Sequence, residues 1–202
     1  MYLKDVFTAD PESGNIDEGD NGQVACDSYH KYKEDVQLLK NIGATSYRFS
    51  IAWSRILPEG TGEINSKGID HYNEVINELL AYNITPAVTL YHWDLPQALQ
   101  DRGGWLNPDI ALWFAEYARI AYQAFGDRVK FWITLNEPWV VATQGHGNGE
   151  KAPGFKGPGI LDYKAAHNLI RAHAKAYRVY QNEFYETQKG DIVYGKTVWS
   201  RL

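Results

Sequence analysis

Cysteine, methionine and long apolar runs are scarce in this chain. Cys26 is the single cysteine among 202 residues, so no intramolecular disulfide can form and the core must hold by packing. No stretch approaches the roughly 18 consecutive apolar residues that a transmembrane helix needs. Basic residues are also in the minority, 20 against 25 acidic, for a net charge of −5. That balance gives no basic footprint for nucleic acid or for an anionic membrane surface, and neither partner is expected. The opening run Met1-Tyr2-Leu3-Lys4-Asp5-Val6-Phe7 has neither the basic nor the apolar region of a secretory signal. It leaves the localisation open.

What the chain does have is the composition of a packed globular domain, with 44% hydrophobic and 22% charged residues. It is long enough to bury a substantial core. Aromatics are plentiful, with 7 Trp and 14 Tyr. Their flat faces suit sugar rings as well as cores, and most are expected simply to pack.

Nearly continuous apolar or β-branched runs alternate with helical patterns, the signature of parallel βαβ units. The expected strands are Ala44 to Trp53, Thr85 to Trp93, Phe131 to Glu137 and Ile192 to Trp199. They read as strands buried on both faces. The expected helices run from Ser28 to Ile42, ending at Gly43, from Ser66 to Ala81, from Asp109 to Phe125 and from Asp162 to Glu186. In the third, Ile110, Trp113, Phe114, Tyr117, Ala118, Ala121 and Phe125 follow the helical period. Asn107 is its expected N-cap, Pro108 its first residue and Gly126 its left-handed C-cap. The fourth carries Ala166, Leu169, Ile170, Tyr177 and Tyr180 as apolar positions. Gly145 to Gly159 reads as a long βα loop, of a length that is usually functional.

Arg48, His92, Asn136 and Glu137 sit in or near the ends of three expected strands, roughly 45 residues apart. In a (β/α) barrel, residues so spaced converge on the mouth formed by the C-terminal strand ends. At that spacing 202 residues hold about four strands, whereas a closed barrel has eight. Asn136 and its neighbour Glu137 can share a site only if the strand bulges or ends there, because neighbouring strand residues point to opposite faces. A carboxylate on the rim of an apolar barrel is partly desolvated, which favours its protonated form and suits a general acid.

Three runs carry a resemblance to a known family. Tyr47-Arg48-Phe49-Ser50-Ile51-Ala52-Trp53-Ser54-Arg55-Ile56, Tyr91-His92-Trp93-Asp94-Leu95-Pro96-Gln97 and Thr134-Leu135-Asn136-Glu137-Pro138 stand in that order. With Gly103-Gly104-Trp105 and Ala152-Pro153-Gly154 they resemble the signatures of family 1 glycoside hydrolases of the β-glucosidase type, from about Gly19 to Trp199. The resemblance implies a single incomplete domain over residues 1–202, an α/β fold covering about strands 2 to 5 of a TIM (β/α)8 barrel. It implies that Glu137 is the general acid/base of a retaining mechanism and that Asn136 holds the sugar 2-hydroxyl. His92 binds a glycone hydroxyl on this reading, Trp93 lines the same subsite, and Arg48 orients the second carboxylate, the nucleophile.

The family's nucleophile lies in a Glu-Asn-Gly run, and no such run occurs here. The chain is therefore expected to be a partial copy, inactive alone and prone to associate through exposed sheet edges. Its expected substrate is a β-glycoside, as a small molecule or an oligosaccharide; the sugar and aglycone are left open. The competing reading is a non-catalytic glycan-binding or regulatory remnant. No cofactor is expected, and no metal: Cys26 with His30, His146, and His167 with His173 make poor ligand sets, the last pair lying on different faces of a helix. Asn83-Ile84-Thr85 is a glycosylation sequon, usable only in a secreted protein.

Overall fold

A computed structural model describes residues 24–195. The element order is α1 Ser28–Asn41, β1 Ser46–Ser50, α2 Trp53–Ile56, α3 Ser66–Ala81, β2 Thr85–Tyr91, α4 Gln97–Asp101, a 3₁₀ turn Gly104–Leu106, α5 Ile110–Phe125, β3 Phe131–Leu135, α6 Pro138–His146, α7 Leu161–Glu183, α8 Tyr185–Gln188 and β4 Asp191–Val193. The strands form one sheet in the order β1-β2-β3-β4, every pair parallel. The opening run Met1 to Phe7 and the last part of the expected fourth strand, residues 196–199, lie outside the described residues. No described helix is long and apolar enough to cross a membrane.

Register decides which residues share a face. Arg48 pairs with Ala87 and Ala87 with Phe131, while Ser50 pairs with Thr89 and Thr89 with Ile133. Paired residues in a parallel ladder point the same way, so Arg48, Thr89 and Ile133 belong to one face. The other face carries Val88 and Trp132 and is covered by helices. Trp132 is fully buried and meets Tyr122 of α5 edge-on. The main core lies in that layer and includes Trp53, Trp105, Phe114, Tyr117 and Tyr180. Buried phenols there need partners, and the Tyr117 hydroxyl lies 3.1 Å from Ile51 O and 2.8 Å from Leu90 O, the carbonyls just past the last β1–β2 pair.

Several expected boundaries shift. The first strand stops at Ser50, because Trp53 already opens α2. The expected long loop starts at Gly147, since α6 runs to His146. Pro138 opens that helix at its first position, where its missing N–H costs nothing. The N-cap position of α5 is Asp109, which makes no side-chain cap bond, and Asn107, two residues earlier, accepts the Asp109 N–H with its side-chain oxygen at 2.9 Å. Gly126 is right-handed, with φ −71°, and not the left-handed C-cap expected; the Gln188 amide group packs over it. Gly43, where α1 was expected to stop, is left-handed, with φ 74°. On α7, Ile170 and Tyr177 are exposed, and the buried face is Ala165, Asn168, Leu169, Ala172, Ala176 and Tyr180.

Helix α1 is held down by a stack of rings. His71 of α3 lies parallel to Tyr29 at 4.1 Å, and the Arg55 guanidinium sits 4.6 Å from the Tyr29 ring. Burial pushes the His71 imidazole down to about 4, and the Arg55 charge adds to this against the opposing pull of Glu74. A histidine held neutral in the folded state stabilises it fully above pH 6.5, and that contribution is lost as pH falls from 6.5 to about 4. We predict that stability drops by on the order of 1–3 kcal/mol over that window through this group, the upper figure being the full shift without solvent screening. Urea melts of the chain and of His71→Phe, compared across the pH range, should show a flatter dependence in the variant; parallel curves would refute the assignment.

Candidate active site

The C-terminal ends of β2 and β3 build the site. β2 ends at Tyr91, and His92 and Trp93 follow, Trp93 with φ 81°. β3 ends at Leu135, but the Asn136 N–H still reaches Tyr91 O at 2.8 Å, which carries the ladder one residue further. Glu137 then turns left-handed, with φ 42° and ψ 57°, and its carbonyl accepts the N–H groups of Val140 and Val141 to start α6. The strand therefore ends where Asn136 and Glu137 need it to end. Left-handed backbone at a residue with a side chain costs on the order of 1 kcal/mol or more, and here two such residues flank one rim.

Asn136 is the fixed point. It is buried, with 6% of its surface exposed. The Trp93 indole N–H donates to its carbonyl at 3.2 Å, and Arg48 Nη2 donates to its side-chain oxygen at 2.7 Å. Arg48 Nε donates in turn to Thr89 Oγ1 at 2.8 Å. One guanidinium thus ties β1 to β2 and to the end of β3. A guanidinium has five N–H groups, and these bonds use two of them. Glu137 and Trp93 are half-buried, and His92 is exposed at the rim. The His92 imidazole sits below its ordinary range, first through partial desolvation and then through the Arg48 charge, with Glu137 pulling the other way.

Beneath the rim, a concave depression of about 380 Å³ opens on the sheet face away from the helices, lined by Arg48, Ile133, Asn136, Val193, Tyr194 and Gly195. Of the five site residues expected from sequence, His92, Trp93, Asn136 and Glu137 follow the ends of β2 and β3 and Arg48 reaches them from the middle of β1, although His92, Trp93 and Glu137 stand outside this depression. Thr89 and Tyr194 were not singled out by sequence. The paired register of β1 and β2 is the signal that puts Thr89 next to Arg48. Among the described residues, no three His, Cys, Asp or Glu side chains are grouped to hold a metal ion. His30 is instead engaged with Asp27, Nδ1 to Oδ1 at 2.6 Å.

Comparison with known proteins gives a consistent result. The chain is 58% identical over 181 residues to a 1,4-beta-D-glucan glucohydrolase of Thermotoga neapolitana, covering 90% of this chain and 42% of that protein. It is 56% identical over 195 residues to lactase/phlorizin hydrolase of Rattus norvegicus, covering 96% of this chain and 10% of that protein. A solved β-glucosidase from Thermotoga maritima in complex with glucoimidazole superimposes with a TM-score of 0.89 at 52% identity, over 94% of this chain and 42% of that one. A rice β-glucosidase mutant in covalent complex with Glc gives a TM-score of 0.91 at 46% identity. The four parallel strands and their helices are thus part of a (β/α)8 barrel, about strands 2 to 5, and the chain spans about two fifths of the length of the Thermotoga proteins it matches. The model of Glycosyl hydrolase family 1 matches residues 2–199, and the chain belongs to that family.

Proposed function

We propose that this chain supplies the acid/base half of a retaining β-glucoside hydrolase. The observation that carries the reading is the left-handed turn at Glu137, which brings a carboxyl and the Asn136 amide to the same rim as His92 and Trp93. The names of the related β-glucosidases support it. Glu137 as an acid gives its proton to the glycosidic oxygen as the bond to C1 breaks. As a carboxylate it then takes a proton from the water that attacks C1. The Asn136 amide holds the 2-hydroxyl, a contact that strengthens in the oxocarbenium-like transition state. His92 and Trp93 bind the glycone, and the free N–H groups of Arg48 meet the nucleophilic carboxylate. That carboxylate belongs about 5–5.5 Å from Glu137. The family's Glu-Asn-Gly run for it has no counterpart among these 202 residues.

The rival reading is a glycan-binding remnant. Hydrolysis separates the two. The 202-residue chain should be inactive on cellobiose, the chain extended along its source gene should hydrolyse it, and Glu137→Gln in the extended chain should lose about 10²–10⁴-fold in kcat. An inert extended chain, or one indifferent to Glu137→Gln, would overturn the proposal.

His92 tests the electrostatics of the same rim. A nearby cation disfavours imidazolium, and a nearby anion favours it. Arg48→Met should therefore raise the midpoint of His92 in an NMR titration, and Glu137→Gln should lower it. Opposite signs would mean that these groups do not face one another.

β1 and β4 are the outer strands of the sheet among the described residues. We read them as sites of self-association, because unpaired parallel edges invite pairing. Light scattering should then give a mass that rises with concentration; a constant monomer mass would refute this.

A further inference from the structure

We propose that Thr89 is a positioning residue of this site, acting through Arg48 to fix which end of the Asn136 amide faces the ligand. The inference rests on the reading of Asn136 as the group that holds a sugar 2-hydroxyl.

The argument starts from donor and acceptor inventories. A guanidinium has only donors, so the Asn136 atom 2.7 Å from Arg48 Nη2 must be the oxygen. The amide NH₂ then points away from Arg48 and can only donate. Asn136 therefore presents a donor to its ligand, and the ligand must offer an oxygen lone pair. This assignment lasts only while the guanidinium stays put. Asn136 itself cannot guarantee that, since an amide and a guanidinium joined by one bond can swing together.

Thr89 supplies the second point of attachment. Its hydroxyl oxygen accepts the Arg48 Nε–H at 2.8 Å, and two contacts from different nitrogens fix the rotation of the fork about its own axis. Thr89 has no exposed surface. Its hydroxyl thus does not touch a bound sugar and acts only through Arg48. Its main chain has a separate duty, accepting the Ile51 N–H at 3.0 Å, which a side-chain change leaves alone. Valine has the same shape as threonine and removes the acceptor, so Thr89→Val isolates the hydroxyl. Without it, Arg48 Nε–H loses its acceptor, the fork is free to turn, and Asn136 can flip to offer its oxygen.

The first measurement needs no activity. In ¹⁵N–¹H NMR of the 202-residue chain, Arg48 Nε–H should be protected from exchange and the two Asn136 amide protons well separated, with assignments made by their loss in Arg48→Lys and Asn136→Asp. Thr89→Val should speed Nε–H exchange by about tenfold or more and bring the amide protons together, while Thr89→Ser should retain the native pattern. Native exchange in Thr89→Val overturns the proposal, and circular dichroism of both variants reports whether the fold is kept.

The second measurement uses the chain extended along its source gene. The ratio of kcat/KM for an aryl β-glucoside to that for its 2-deoxy analogue should fall about tenfold in Thr89→Val, chiefly in kcat, and recover in Thr89→Ser. An equal loss on both substrates would mean a structural role only and overturn the proposal. If the extended chain hydrolyses neither substrate, the glucosidase reading fails, and the exchange measurement still decides whether Thr89 holds Arg48.

Discussion

Arg48 stands on β1, Thr89 on β2 and Asn136 at the end of β3, and a single side chain is bonded to the other two. The parallel register makes this possible. Each strand offers residues to the open face at every second position, and the long arginine leans towards the C-terminal ends to reach partners two and five residues beyond those paired with it. A one-residue slip between β1 and β2 would send Thr89 to the helix-covered face, and one between β2 and β3 would displace Asn136; either leaves the guanidinium with a single contact. Register is therefore the constraint behind the site, and the buried aromatic layer enforces it. Trp132, Tyr122 and Tyr117 fill the opposite side of the same strands, and the Tyr117 hydroxyl meets the carbonyls at the ends of two of them.

Much of this was legible in the sequence because the central strands carry a strong signal. Thr85 to Tyr91 and Phe131 to Leu135 are almost wholly apolar or β-branched, and α5 keeps its apolar period for four turns. Arg48, His92, Trp93, Asn136 and Glu137 stood out as candidates for a different reason: polar side chains in or near the ends of such strands are hard to explain otherwise, and the three flanking runs resemble one family's signatures. Elsewhere the signal was weak. Helix α6 was missed because Pro138 and Gly145 read as punctuation, whereas one sits at the first turn and the other packs against the Ala152 carbonyl. The buried face of α7 was misjudged because it is built from Ala165, Ala172 and Ala176, which are poor hydrophobes in a sequence but allow close approach to α5. Thr89 was overlooked because its meaning lies in the register, which brings Arg48 diagonally within reach of its hydroxyl.

The two faces of the sheet differ in kind. Parallel sheets ordinarily bury both. Here the helix-covered face is closed by fully buried Trp and Tyr, while the other shows Phe131 at 38% and Val193 at 37% exposure beside Arg48. The energetics of the chain and its chemistry are thus divided between sides. Substitutions on the covered face act on stability, as large-to-small changes in any core do. Substitutions on the open face act on the hydrogen-bonded set around Asn136, where the cost lies in orientation more than in packing.

Position 137 sets stability and chemistry against each other. Its left-handed backbone suits asparagine better than glutamate, since a short amide side chain tolerates that conformation. Replacing Glu137 by asparagine would therefore relax the backbone while removing the carboxyl group that the proposed reaction uses, so a sturdier turn at this position would come at the expense of that chemistry.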